Sequence, residues 1–193
     1  MATQEERRAA TRSAVIEAAT ALFGTNGFDD TKMDDIVAKA GVAKGGIYHH
    51  FKNKHEIFEA VFEAVAAEIA AEMRQEIAPG QPPLDVLKQS ATGFFRLCAE
   101  PLRRRIFLQD GPAVLGHEAW HRIDAHHFGG LVTSALGEAM EAGAIRPQPL
   151  KSLSRVMLGG IQAAALDCAA QDDFDAAAKD YLSVFAGILD GLK

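Results

Sequence analysis

Between residues 58 and 73 the apolar side chains recur at helical spacing. Phe58, Val61, Phe62, Val65, Ile69 and Met73 share one face, while Glu59, Glu63, Glu68 and Glu72 fall largely on the others. The same pattern closes the chain, where Tyr181, Val184, Phe185, Ile188, Leu189 and Leu192 follow i, i+3, i+4, i+7, i+8 and i+11. β-branched residues are sparse and nowhere alternate with polar ones over a useful length, so strands are not expected. The pattern predicts an all-α chain of about nine helices.

Breakers divide it. Gly24, Asn26 and Gly27 end a first helix expected over Arg7–Phe23. A second runs from Met33 to Ala40 and stops at Gly41; a third runs from Lys44 to Phe51. The fourth, from Lys54 to Ile77, ends at Ala78-Pro79-Gly80, and Pro82-Pro83 opens the fifth. A sixth helix starts near Pro101 and is expected to halt at Gly111-Pro112. The seventh is expected over Glu118–Ala142, with a possible interruption at Gly129-Gly130 and a C-terminal cap at Gly143. The eighth follows Pro147 and Pro149, over Leu150–Ala170, and the ninth starts near Asp173.

Composition narrows the class. The 193 residues are 48% hydrophobic and 24% charged, too apolar for disorder, and they fit one ordinary domain or two small units sharing a core. Cys98 and Cys168 cannot form a disulfide framework and are expected as buried small groups, which points to a reducing cytoplasm. The longest apolar stretch, Ala64 to Met73, is broken by Glu68 and Glu72, and the first residues lead into no signal-peptide core. A formal net charge of −6 at first argues against a nucleic-acid partner. The charge is uneven, however. Residues 1–55 hold eight basic and seven acidic residues, so the acidity belongs to the remainder.

Within that near-neutral first quarter, residues 31–54 read as two short helices joined by a tight turn, Ala40-Gly41-Val42, the helix-turn-helix pattern. The second of these is too short to be stable alone and must lie on its neighbours with one face outward. That face carries Lys44, Gly45, Gly46, Tyr48 and His49 and almost no apolar bulk. Bare glycines let the backbone approach another surface closely, Tyr48 and His49 can hydrogen-bond phosphates or base edges, and Lys44, Lys52 and Lys54 bring charge to both ends. Thr31, just ahead of the second helix, is expected as its N-cap, with that helix end aimed at a phosphate.

At these residues the chain resembles the DNA-binding domain of TetR/AcrR transcriptional regulators. The similarity runs from Ala18-Ala19-x-x-Leu22-Phe23-x-x-x-Gly27-Phe28 through Thr31, Ile36, Ala38, Ala40-Gly41-Val42, Lys44-Gly45-x-Ile47-Tyr48 and His50-Phe51 to Lys54. The resemblance implies a DNA-binding head over residues 1–55 and a larger ligand-binding and dimerisation domain over residues 56–193. It implies a homodimer on a palindromic operator in double-stranded DNA, a repressor released by a small-molecule effector. Thr31, Tyr48 and Lys54 would then bind phosphate, and Lys44, Gly45, Gly46 and His49 would lie at or near the bases. Two positions depart from the family's habit: Ala43 stands where Ser is common, and Gly46 where Thr, Ser or Ala is common. Leu108–Gly116 is similar to a run in one subgroup of that family.

In the remaining helices Phe94, Phe95, Phe107, Trp120, Phe128, Leu131 and Met157 are candidates to line a cavity for an apolar or aromatic molecule. Gly159, Gly160, Ala163 and Ala164 permit close helix approach. With Tyr181, Phe185, Ile188 and Leu189 they form the candidate dimer interface, which would pair with its symmetry mate in a four-helix bundle. Arg103-Arg104-Arg105 is expected as a solvated face. One alternative comes from a different class. His117-Glu118-Ala119-Trp120-His121 matches H-E-x-x-H, the pattern of a zinc-dependent hydrolase, with His127 at the extended position but Asp124 where Gly belongs. The regulator reading calls for no catalytic residue, cofactor or resident metal.

Overall fold

The computed structural model describes residues 3–193, so Met1 and Ala2 of the expected head lie outside it; no strand occurs among the described residues. The helices are α1 (Gln4–Asn26), α2 (Met33–Ala40), α3 (Lys44–Tyr48), α4 (Lys54–Glu76), α5 (Pro83–Cys98), α6 (Pro101–Arg103), α7 (Gly111–Glu141), α8 (Leu150–Ala169) and α9 (Phe174–Asp190). A π-helical run, Arg104–Asp110, links α6 to α7. The chain forms two compact units, one of residues up to Val65 with Pro101–Trp120, the other of Ala66–Glu100 with His121–Lys193. Among the described residues no helix is long and apolar enough to cross a membrane.

The first unit is built on α1. Thr3 and Glu6 cap its start reciprocally, the Glu6 amide donating to Thr3 Oγ1 at 3.2 Å and the Thr3 amide to Glu6 Oε2 at 2.6 Å. Gly27 ends the helix at φ +83°, a backbone state that glycine reaches without steric cost. Phe23, Phe28 and Phe58 meet at centroid distances of 5.2 to 5.7 Å, and Phe62 stacks on Phe107 at 4.7 Å. Ile36, Ile47 and Phe51 are buried in the same unit, which sets α2 and α3.

The expected stop at Gly111-Pro112 is not a stop. Proline is suited to a helix's first turn, and α7 begins there. The break comes at Gly116, whose φ of 74° and ψ of 162° are non-helical, and the helix then passes Gly129-Gly130 without interruption. Arg103, Arg104 and Arg105 are half-buried rather than a solvated face. Arg105 donates to the Asn26 carbonyl at 3.2 Å and lies 3.8 Å from the Asp110 carboxylate, so it secures the end of α1.

In the second unit Leu84, Leu87 and Ala91 of α5 pack with Leu136 and Ala139 of α7, Met157 of α8 and Leu189 of α9. Phe94 meets Phe128 edge-to-face at 5.4 Å. Asp173 caps α9 by accepting from the Ala176 amide at 2.9 Å. Arg146 and Lys88 tie down the chain's end, bonding the Gly191 carbonyl at 3.1 Å and Asp190 at 3.1 Å. Cys98 and Cys168 are both buried and form no disulfide, and burial raises the Cys168 thiol above its usual range.

A methyl group at Gly111 would lie 2.6 Å from the Phe62 ring and 3.0 Å from the Ile106 carbonyl oxygen. Phe62 is held by its stack on Phe107 and cannot swing aside. Gly111→Ala is therefore expected to cost about 2 kcal/mol by overpacking, read as a lower denaturant midpoint with unchanged slope.

Candidate nucleic-acid interface and internal cavity

In the head, Gly41 closes α2 in the left-handed conformation at φ +66°, and Ala43 starts α3 without a side-chain cap. α3 is shorter than expected, ending at Tyr48; His50 and Phe51 continue as a turn, each donating to the Ile47 carbonyl at 2.9 Å. Ile47 points inward and is fully buried, which leaves Lys44, Gly45, Tyr48 and His49 on the outer face with Gly46 half-covered. Tyr48 is 47% exposed, unusual for so large a ring. A side chain at Gly45 or Gly46 would meet nothing within 4 Å, so these glycines answer no packing need inside the protein. Lys44 bonds Asp34 of α2 at 2.6 Å, which raises its pKa. Lys52 is exposed, its own amide donating to Glu56 at 2.8 Å.

Two expected contacts are turned inward. Thr31 is not the N-cap of α2. It is wholly buried and its hydroxyl donates to the Gly27 carbonyl at 2.7 Å, closing the turn after α1. Lys32 occupies the cap position, its amide donating to Asp35 at 3.2 Å. Lys54 directs its ammonium to the carbonyls of Phe28, Asp29 and Thr31 at 2.6, 3.3 and 2.9 Å, over the Phe28 ring. One surface escaped the sequence reading: Gln4, Arg7, Arg8 and Thr11 line a groove with Gly46, His49 and His50. Their spacing of i, i+3, i+4 and i+7 on α1 was the available signal.

The second unit encloses a cavity of about 40 Å³. Phe94, Phe128, Leu131 and Met157 line it, with Leu87, Leu158, Ile161 and Phe185. Phe95 is buried elsewhere in this unit, near Phe174, and Phe107 and Trp120 belong to the first unit. The polar lining was not foreseen. Ser90 of α5, Asp124 of α7 and Gln162 of α8 are each at least nine-tenths buried. The Gln162 amide donates to Asp124 Oδ2, while Asp124 Oδ1 and Ser90 Oγ have no hydrogen-bond partner. Burial pushes the Asp124 carboxyl up to about 7, and the bond from Gln162 offsets only part of that. Arg74 and His127 also line the cavity.

On α8 and α9 the candidate interface divides. Gly160, Ala163, Tyr181 and Ile188 are exposed and Gly159 is half-buried. Ala164, Phe185 and Leu189 are buried inside the protomer, so little of their surface is left for a partner. Val156 and Val184, outside the expected set, are 69% and 60% exposed. Val156, Gly160 and Ala163 form one stripe and Tyr181, Val184 and Ile188 another, and the Tyr181 hydroxyl joins the helices by donating to Asp167 at 2.9 Å.

The H-E-x-x-H run starts immediately after the break at Gly116, with His117 and Glu118 exposed. Among the described residues neither His117 nor His121 belongs to a group of three or more His, Cys, Asp or Glu side chains close enough to share an ion.

Helical head and helical body together define a class, the helix-turn-helix regulators with a separate core domain. The model of the "Bacterial regulatory proteins, tetR family" matches residues 15–61, and that of the "Tetracyclin repressor-like, C-terminal domain" matches residues 84–192. The chain belongs to the TetR family. It is 30% identical over 99 residues to the transcriptional repressor BepR of Brucella suis, 51% of this chain and 47% of that one. Among solved structures it is similar to a TetR-family transcriptional regulator from Pectobacterium atrosepticum, with a TM-score of 0.86 and 24% identity over 99% of this chain and 97% of that one. It is also similar to RolR bound to resorcinol, with a TM-score of 0.75 and 21% identity over 98% and 95%. The matched segments span from 24% to 47% of the length of the first curated relatives.

Asp124 gives a pH signature of known sign. Its folded pKa of about 7 lies above the unfolded value of 3.8, so the native state holds the proton more tightly. Stability therefore falls as pH rises from about 4 to about 7 and levels off above, with a contribution of at most about 4 kcal/mol. In urea titrations Asp124→Asn is expected to flatten this part of the profile and to gain on the wild type at pH 8. A slope that the substitution leaves unchanged would contradict the assignment.

Proposed function

We propose that this protein is a ligand-responsive transcriptional regulator, a repressor that binds a palindromic operator as a homodimer and lets go when a small molecule enters its body. The observation that carries the reading is the outward face of α3, where Lys44, Gly45, Tyr48 and His49 are exposed and a Cβ at Gly45 would meet nothing. A helix of that shape fits the major groove, and its bare glycines bring backbone close to base edges. Residues 1–55 do the DNA work and residues 56–193 bind ligand and partner. Lys44, Tyr48, His49 and Lys52 contact the duplex, joined by Arg7 and Arg8. Thr31 and Lys54 act from inside by fixing the turn beneath it. No catalytic step or resident metal is part of this function, and its place is the cytoplasm.

The dimer forms through the stripes of α8 and α9, centred on Val156, Gly160, Ala163, Tyr181, Val184 and Ile188. Two heads are needed because operator symmetry mirrors protein symmetry, with half-sites about 34 Å apart or a multiple of it. The effector is apolar or aromatic, in keeping with the cavity's lining. A cavity of about 40 Å³ takes a ring only if the lining helices part. Binding then favours a widened state over the closed one, which is what a population shift requires.

Selection of bound duplexes from a random pool tests the proposal, with an inverted repeat as the expected product. Unselective recovery at physiological salt would refute it. On selected duplexes Tyr48→Ala is expected to weaken binding about tenfold and nearly equally for every sequence, as loss of a phosphate contact does. A second test concerns the partner. Val184→Arg with Ile188→Arg is expected to yield a folded monomer by sedimentation that no longer retains the operator.

A further inference from the structure

We propose that the body's cavity selects a neutral molecule, apolar over most of its surface, that carries a hydroxyl donor and presents it to Oδ1 of Asp124. This rests on the reading of the chain as ligand-responsive and names the ligand's chemistry.

The argument starts from what the cavity lacks. Its walls are almost wholly hydrocarbon, yet Asp124 and Ser90, 1% and 6% exposed, each hold an oxygen with no partner. Buried polar atoms are nearly always satisfied, and those left open inside a cavity mark where a guest's polar atom goes. Asp124 is oriented for the task. The Gln162 amide is spent on Oδ2 and braces the carboxylate from α8, so the second oxygen is the open one. Ser90 supplies a hydroxyl from α5 on the same lining, able to donate to the guest's oxygen. A hydroxyl is complementary to this pair, since it donates to the carboxylate and accepts from the serine.

The competing chemistries fit less well. A carboxylate guest would set a second carboxyl beside Asp124, whose own charged form burial already disfavours, so the two could not both ionise there without cost. An ammonium guest would be desolvated in a cavity that the Arg74 guanidinium also lines. A pure hydrocarbon would leave both oxygens unpaired.

The test uses full-length protein without DNA and two pairs of probes that differ by hydroxyl against methyl: phenol with toluene, and cyclohexanol with methylcyclohexane. Calorimetric titration is expected to show the hydroxyl member of each pair bound about tenfold tighter or more. Asp124→Leu, checked for folding by its thermal transition, is expected to erase the preference while still binding the hydrocarbons, and Ser90→Ala to reduce it. If the leucine variant fails to fold, Asp124→Asn keeps one acceptor oxygen and is expected to retain part of the preference. Equal affinities within each pair, a preference that survives in Asp124→Leu, or no binding of any probe up to its solubility limit would overturn the proposal. Operator titration in the presence of phenol separates the two readings. A probe preference that depends on Asp124 but leaves DNA binding unchanged sinks effector release and leaves the ligand class standing.

Discussion

A helix of five residues closes too few backbone hydrogen bonds to hold its own shape, so everything asked of α3 depends on what surrounds it. The surrounding frame is pinned at one turn. Residues 27–31 are fastened by the Lys54 ammonium on three carbonyls, by the Thr31 hydroxyl on Gly27, and by the Phe28 amide, which donates to Asp110 at 2.8 Å. Four chain segments meet there: the end of α1, the start of α2, the start of α4 and the π-helical run. A mobile turn would let α2 and α4 drift, and α3, held between Gly41 and buried Phe51, would lose its aim. The arrangement also decides which cations face outward. Lys54 gives its charge to carbonyl dipoles, so in the proposed complex the duplex would meet Lys44, Lys52 and the α1 arginines instead.

The body is under the opposite constraint. Its helices could fill their core with hydrocarbon, as the Leu87–Leu136–Met157 cluster does. Around the cavity they keep Ser90, Asp124 and Gln162 buried instead, at a cost in stability that grows when Asp124 ionises. Buried polar groups with open valences are a poor way to stabilise a bundle and a direct way to recognise a guest. The same trade appears at the surface of α8 and α9. Val156, Val184 and Ile188 stay exposed on a single protomer although each would gain from burial. The proposed dimer would offer that burial.

Much of this was legible in the sequence because helical periodicity and glycine punctuation are local signals. The boundaries of α2 and the turn at Gly41 follow directly from them, whereas α1 runs through Gly24 to Asn26 before Gly27 ends it. The face of α3 was readable too, since small and polar residues at 44–49 contrast with apolar Ile47. What escaped reading depended on partners far along the chain. Thr31 looked like a cap because caps are recognised by position, but its hydroxyl found the Gly27 carbonyl once the turn folded back. Lys54 looked like a solvent-facing cation because nothing local shows that three carbonyls converge on it. Asp124 appeared only as a misfit in a metal pattern, since its pairing with Gln162 joins helices 38 residues apart. On α9 the apolar stripe was plain, but it is wider than one interface needs. Phe185 and Leu189 face the protomer's own core and Val184 and Ile188 face away, a division that periodicity alone does not make.

Charge, finally, limits how the head can work. Residues 1–55 are close to neutral, and Lys44, the cation at the start of α3, is already paired with Asp34. A duplex phosphate approaching Lys44 competes with that carboxylate and is repelled by it. In the proposed complex Lys44 would therefore contribute less to counterion release than an unpaired lysine, and Lys52, Arg7 and Arg8 would carry the larger share. A Cβ at Gly45 or Gly46 would meet nothing in the protein, and in the proposed complex their bare backbone would let α3 and Tyr48 approach the groove more closely than bulkier residues would allow. In the proposed dimer a close fit would count twice when two heads sit at the right spacing, so a change of that spacing driven from the body would remove both contacts together.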